Sequence, residues 1–491
     1  MTKIPGSFDL PLGKRPPNRT LTDWLYAELR GAILTGRLGR GTRLPASRDF
    51  ARQHSISRGT VVSVFERLQA EGYVTSRIGS GTWVTGGVSA DASRAHRVTP
   101  PSSVRRVVAA YRRPKAWVDL PAVRGRPFQM RDPALDEFPA TLWGRIAARR
   151  ARALRSWLFT EDDGRGYRPL REAIAGYLGS SRGVQCSPDQ VVIVTGAQQA
   201  LDLLARLLLR RDDPICVEDP GYFGATMAFG NVGAKIVPVP VDDEGLSVST
   251  GVKMCARPKA VYVTPAHQFP LGTTMSLRRR MALLKWASRA GACIIEDDYD
   301  SEFRFEGRPV PALHSLDGGS HVIVIGSFSK LLFPSLRVGY VVLPASLADY
   351  FLAFRLQTDL RSVTFHQAVL CDFIVNGHLG RHLRRMRNLY AERLEALIDA
   401  GRTHLRGLLR ISAVRAGLYT AGLLENGMTS REAEAAAAGR GIEAIALDRY
   451  TLTRSDPKGV LLGFGAFDER IIRRGVLELA AALTGKRSQH P

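Results

Sequence analysis

The sequence predicts two folded units in one chain. The first is an α+β helix-turn-helix unit with a β-hairpin. The second is a larger α/β unit with a mainly parallel seven-stranded sheet and a small C-terminal α+β subdomain. Three observations predict this. The 491 residues, 45% of them apolar and 23% charged, have ordinary globular composition and exceed the roughly 100–200 residues of one domain. Short helical patterns give way to a hairpin pattern within residues 19–87. Across residues 126–485, seven continuous apolar runs alternate with helical patterns, as strands do when both faces of a parallel sheet are covered.

In the first unit, Leu21, Leu25, Leu29 and Ile33 recur at helical spacing and predict a helix that stops at Gly36. After the turn GRLGRGTRLP, Ala46–Gln53 reads as a second short helix opened by Ser47. Ser57 is placed to cap a third helix. There Val61, Phe65 and Leu68 share an inward face, and Arg58, Gly59 and Val62 lie on the other. Two helices joined by a tight turn, the second led by a small residue and an arginine, can set that arginine against base edges in a major groove. The hairpin YVTSRIGSGTWV follows, with the small tip Gly79-Ser80-Gly81 suited to approach a sugar-phosphate backbone.

Residues 88–125 read as a linker, with two adjacent prolines, many arginines and one short helix over VRRVVAAYRR. The predicted strands of the second unit are Val191–Val194, Ile215–Glu218, Lys235–Val239, Ala260–Thr264, Cys293–Glu296, His321–Ile325 and Val338–Leu343. A long helical stretch past Ala345 leads to short strands at Gly417–Leu423 and Gly459–Phe464 and a closing helix.

Charge is concentrated. Met1–Gly125 holds 21 Lys/Arg against 8 Asp/Glu, a net +13 out of +23 for the whole chain. Such an excess suits a polyanionic partner, nucleic acid or an anionic membrane surface. No stretch of about 18 apolar residues occurs, and the first residues have no apolar signal-like core. The five cysteines are odd in number and form no CxxC pair, which supports neither a disulfide framework nor a cysteine zinc site. A cytoplasmic location is expected.

The chemistry gathers in the second unit. In SFSKLLFPSLRVGY, Lys330 follows a predicted strand and lies among Ser327, Ser329 and Arg337. A lysine there sits where ligands bind in parallel α/β sheets and can form a Schiff base with an aldehyde. The two hydroxyls and the arginine can hold a phosphate. In IIEDDYDSEF, Asp297 and Tyr299 end another strand. The carboxylate can pair with a protonated pyridine nitrogen, and the phenol can bond a ring hydroxyl. In VVIVTGAQQALDLLARLL, the N–H groups of Gly196, Ala197 and Gln198 can meet an anion at a helix N-terminus. Each piece alone has an ordinary structural explanation. Together, in this order, they indicate pyridoxal 5'-phosphate.

Two resemblances sharpen these readings. LPASRDFARQHSISRGTVVSVFERLQAEGYVTSRIGSGTWV resembles the winged helix-turn-helix domain of the GntR regulators. It implies DNA contacts from Arg48, Ser57, Arg58 and Thr60, with Gly79 and Ser80 at the wing tip. GYRPLREAIAGYL, VTGAQQAL, EDPGYFGA, TPAHQFPLG, EDDYDSEFR, GSFSKLLFPSLRVGY and GHLGRHLRRMR resemble fold-type-I aminotransferases. The whole chain is similar to the MocR branch of the GntR family. That likeness implies Lys330 as the Schiff-base lysine, Asp297 at the pyridine nitrogen, Tyr299 at the ring hydroxyl and Tyr222 stacked on the ring. Gly196, Ala197, Gln198, Ser327 and Arg337 would form a phosphate cup. A homodimer follows, head-to-tail with DNA modules swapped over the partner.

Two positions depart from the aminotransferase pattern. His267 belongs to an HQFP segment in which Phe269 stands where those enzymes carry an asparagine. Leu461 stands where their carboxylate-clamping arginine is found, with Arg449 and Arg454 just upstream. The leading expectation is a transcription regulator that binds operator DNA and senses pyridoxal phosphate or its amine or amino-acid adduct. The alternatives are an active aminotransferase carrying a DNA module, and a DNA-binding protein whose α/β unit only dimerises.

Overall fold

The computed structural model describes residues 12–77, 81–85, 125–130, 132–153, 163–307, 310–359, 362–454 and 456–485. They belong to two compact units that divide at Arg112. Most of the 88–125 linker, its short helix, and the wing-tip residues Gly79 and Ser80 lie outside the described residues.

In the first unit, the helix Leu21–Leu34 begins where the Thr20 hydroxyl accepts the Asp23 N–H, and it buries Leu25, Leu29, Ala32 and Ile33. It stops two residues before Gly36. The second helix, Ser47–Gln53, starts at Ala46 without a side-chain cap. The third, Arg58–Ala70, is capped as its sequence predicts, by Ser57 accepting from the Thr60 N–H. Its inward face is Val61, Val64, Phe65 and Leu68. The hairpin pairs Val74–Arg77 with Gly81–Val84. One strand escaped the sequence reading: Arg43–Leu44, inside the stretch read as a turn, pairs with Thr82 and Trp83. A two-residue strand has too short a period to read. Leu44, Phe50, Val84 and the helix residues form one core, each large side chain contributing about 1.5–3 kcal/mol by burial.

The second unit is built on an eight-stranded sheet in the spatial order Val191–Val194, Gly339–Val342, Val322–Ser327, Cys293–Asp298, Ala260–Val263, Pro214–Asp219, Lys235–Asp242, Gly245–Leu246. The expectation of seven strands is corrected to eight, because Gly245–Leu246 turns back antiparallel on Val241 and Asp242. Gly339–Val342 is antiparallel to both neighbours, and the other central pairings are parallel. Alternate residues feed opposite cores. Ala260 and Tyr262 pack in one with the helices Ala197–Leu208 and Ala345–Thr358. Val261 and Val263 pack in the other with the helix Leu277–Ala290. Burial on both faces is why these strands are continuously apolar.

The small subdomain has a four-stranded antiparallel sheet, Leu409–Ile411, Tyr419–Leu424, Gly459–Gly463, Ile445–Ala446, with the helices Ser430–Ala438 and Glu469–Leu483 and the 27-residue helix His378–His404. It is tied to the large sheet by Asp219. That buried carboxylate accepts from Leu452 N at 2.8 Å, Thr453 N at 3.0 Å and Thr453 Oγ1 at 2.6 Å. No helix among the described residues is long and apolar enough to cross a membrane.

Candidate functional site

The third helix of the first unit presents Arg58 and Gly59 to solvent at its N-terminus, and Arg48 is exposed on the second helix. Neither Arg48 nor Arg58 has an ion-pair or hydrogen-bond partner among the described residues. Arg67 contrasts with them. It bonds Asp23 and Glu71, both at 3.3 Å, and lies 3.9 Å over the Tyr26 ring. Arginines of one small unit thus divide into those paired within the fold and those with no partner among the described residues. The Ser57 and Thr60 hydroxyls bond each other at 2.8 Å, so one of their two protons is already engaged in the cap.

In the second unit the predicted residues converge on the C-terminal edge of the parallel strands. Asp297 pairs in register with Ile325, and Ser327 with Gly339, which pairs in turn with Val194. Asp297 and Ser327 therefore end adjacent strands, and Thr195-Gly196 follows a third strand further along the same edge, beyond Gly339–Val342. Asp297 is only 5% exposed. Its Oδ2 accepts from Tyr262 Oη at 2.7 Å, while Oδ1 is buried without a hydrogen-bond partner among the described residues. Burial, reinforced by the nearby carboxylates of Asp298 and Asp300, pushes its carboxyl up to about 7. A buried acceptor without a donor is costly, and a ring N–H placed at Oδ1 would satisfy it.

The anion cup has matching features. Gly196 caps the helix Ala197–Leu208 at φ +135°, with no side-chain cap, so the N–H groups that follow are open to a ligand. A Cβ on Gly196 would lie 3.6 Å from Arg337 Nη1. Arg337 itself has no partner among the described residues. Ser327 Oγ accepts from Ser329 N at 3.2 Å, and Ser329 Oγ is buried without a hydrogen-bond partner among the described residues. The side chain of Gln198 is committed to Gly224 O and Tyr222 Oη, leaving its backbone N–H as the predicted contact. Burial, with a smaller contribution from the Asp297 charge, raises the Tyr222 phenol to about 12. Lys330 is half-buried, its Nζ 3.5 Å from Met130 O.

Tyr299 is held more tightly than its sequence context indicated. Its Oη donates to His267 O at 2.8 Å and lies 2.6 Å from Tyr419 Oη. His267 Nδ1 is 2.8 Å from Asp300 Oδ2, both side chains almost wholly buried. Tyr262, Asp300, Tyr419 and Met130 were absent from the sequence reading. Only Tyr262 carries a local signal, because a phenol inside an all-apolar central strand requires a polar partner.

At the two departures, Phe269 and Leu461 share an apolar cluster with Met130, Tyr419 and Tyr450. Arg449 donates to both oxygens of Glu434 at 2.8 Å, and Arg454 donates to Val241 O at 3.3 Å.

The chain has relatives that span nearly its full length. The family profile of class I and II aminotransferases matches residues 147–416, and that of the gntR family of bacterial regulatory proteins matches residues 21–84. The probable rhizopine catabolism regulatory protein MocR of Rhizobium meliloti is 40% identical over 463 residues, covering 93% of this chain and 92% of that protein. The pyridoxine biosynthesis transcriptional regulator PdxR of Corynebacterium glutamicum is 30% identical over 97% of this chain and 99% of its own. Among solved structures, Pyrococcus horikoshii kynurenine aminotransferase in complex with PMP superposes with a TM-score of 0.69 at 26% identity, covering 81% of this chain and 99% of that chain. The α-aminoadipate aminotransferase LysN of Thermus thermophilus, complexed with N-(5'-phosphopyridoxyl)-L-leucine, gives 0.70 at 26% identity over 77% and 98%. Two profiles in tandem and full-length relatives with the same order of units leave one conclusion: the chain belongs to the MocR-like branch of the GntR family, which joins a helix-turn-helix to a class I and II aminotransferase domain.

Proposed function

We propose that this protein is a DNA-binding transcription regulator whose aminotransferase-like unit holds pyridoxal 5'-phosphate and senses it, or an amine bound to it. The carrying observation is a set of polar groups along one sheet edge with no partner among the described residues: Asp297 Oδ1, Ser329 Oγ and the Arg337 guanidinium. When bound, the cofactor supplies an aldehyde that condenses with primary amines and a ring that draws electrons from the attached carbon. In this reading Lys330 is the covalent anchor, Asp297 keeps the ring nitrogen protonated and Tyr222 covers the ring face. Tyr299 faces the ring hydroxyl. Gly196, Ala197, Gln198, Ser327, Ser329 and Arg337 hold the phosphate. Arg48, Ser57, Arg58 and Thr60 meet DNA, with Gly79 and Ser80 at the backbone, and residues 19–87 and 126–485 act as the two functional domains.

A regulator also needs a ligand that binds two DNA-affinity states unequally. A homodimer, head-to-tail with exchanged DNA modules, is part of the same proposal. Phe269 and Leu461 favour sensing over turnover, since neither offers the polar contact that aminotransferases place there. The test measures operator binding of the full chain, with and without cofactor and amine, beside multiple-turnover transamination. The proposal expects DNA affinity to change with ligand. Turnover near the ~10 s⁻¹ typical of enzymes, with DNA affinity unmoved, overturns it in favour of an active aminotransferase.

A further inference from the structure

Aromatic rings close on Phe269 from several sides. Tyr450, Tyr419, Tyr222 and Tyr299 lie with ring centres 4.9, 5.7, 5.8 and 6.4 Å away, all edge-on. Leu461, fully buried, belongs to the same cluster with Met130. The carbonyl of Met130 is the group 3.5 Å from Lys330 Nζ. Met130 thus brings the edge of this cluster to the amine that would anchor a cofactor, and the cluster offers little to an anion: it carries no cation, and the hydroxyls of Tyr222 and Tyr299 already donate to Gln198 and His267 O. An amino acid bound through its nitrogen there would bring its carboxylate, a few bonds away, to that cluster.

The two arginines just upstream do not answer it. Arg449 spends its fork on Glu434, with both groups less than one-fifth exposed. Arg454 bonds Val241, on a strand three places along the sheet from the strand that carries Asp297. At about 4.8 Å per strand that is roughly 14 Å. A carboxylate moved out of water without a cation or donors is strongly disfavoured.

We propose that this site takes a primary amine with no carboxylate on its amine-bearing carbon and discriminates against the matching amino acid. The inference rests on the reading of the site as a pyridoxal phosphate site and adds the ligand class. Bound pyridoxal phosphate would supply the aldehyde carbon for the amine nitrogen, and Lys330 Nζ would give up its own bond to that carbon and take the amine's two protons, so that no oxidant, reductant or water would be consumed.

The test titrates the full-length, cofactor-loaded protein with pairs that differ by one carboxylate: phenethylamine and phenylalanine, isobutylamine and valine. The change in cofactor absorbance reports half-saturation, and calorimetry gives it independently. The amine of each pair is expected to half-saturate at a concentration at least tenfold below its amino acid. Leu461→Arg should narrow or reverse that ratio, while Leu461→Met keeps it. If the arginine variant does not fold, the wild-type pairs decide alone. Equal or tighter binding of the amino acids overturns the proposal and leaves the cofactor reading standing. Absence of any cofactor absorbance after loading overturns both.

Discussion

Replacing Asp297 by asparagine separates the carboxylate's charge from its shape. The amide can still accept from Tyr262 Oη, which now sits 2.7 Å from Oδ2, so the local packing survives. Two effects follow from burial. Without ligand, the folded protein holds the Asp297 proton up to about pH 7, whereas the unfolded chain releases it near 4. The folded state therefore binds the extra proton between these values. Its contribution to stability is complete below about pH 4 and is lost as pH rises through 7. From pH 5 to 8 the loss is about 2–3 kcal/mol, and Asp297→Asn should remove it, flattening that part of the profile. With ligand, the variant loses a charge-assisted bond worth about 1.5–3 kcal/mol, so the dissociation constant for pyridoxal phosphate should rise roughly 10- to 100-fold. Denaturant midpoints of the ligand-free protein at pH 5 and 8, with a fluorescence titration of cofactor, measure both. Cofactor affinity within twofold of wild type would refute Asp297 as the ring partner. An unchanged pH profile would refute its titration.

Lys330→Ala should abolish the borohydride-reducible link to cofactor seen by mass spectrometry, and a retained link would place the anchor elsewhere. Gly196→Ala forces a side chain into φ +135°, a strain of order 1–3 kcal/mol. It should weaken cofactor binding roughly tenfold or more, and Arg337→Ala should do the same through the phosphate; free phosphate inhibiting both variants as it inhibits wild type would count against the cup. Arg58→Ala should cost about 1–3 kcal/mol at a specific operator if it pairs with a base. Arg48→Ala should weaken specific and random DNA alike and flatten the salt dependence. Fluorescence anisotropy at several salt concentrations distinguishes the two.

The sequence alone determined the order of the units, the helix-turn-helix and seven of the eight strands, and it singled out the lysine, carboxylate and glycine proposed for the site. Those signals are local: apolar period, caps such as Ser57, and a residue just past a strand. The motifs also carried the family likeness, because their residues stand close together in the chain. The tertiary structure decided which charged groups are spent and which are left. Nothing in the sequence separates Arg67, paired with Asp23 across 44 residues, from Arg58, which has no partner among the described residues. Nor does it show that Arg449 turns to Glu434, or that Met130 reaches Lys330 across 200 residues. Asp219 joins the subdomain to the sheet across 233 residues. Each pairing depends on where distant strands and helices are brought together, and no pattern of near neighbours encodes that path.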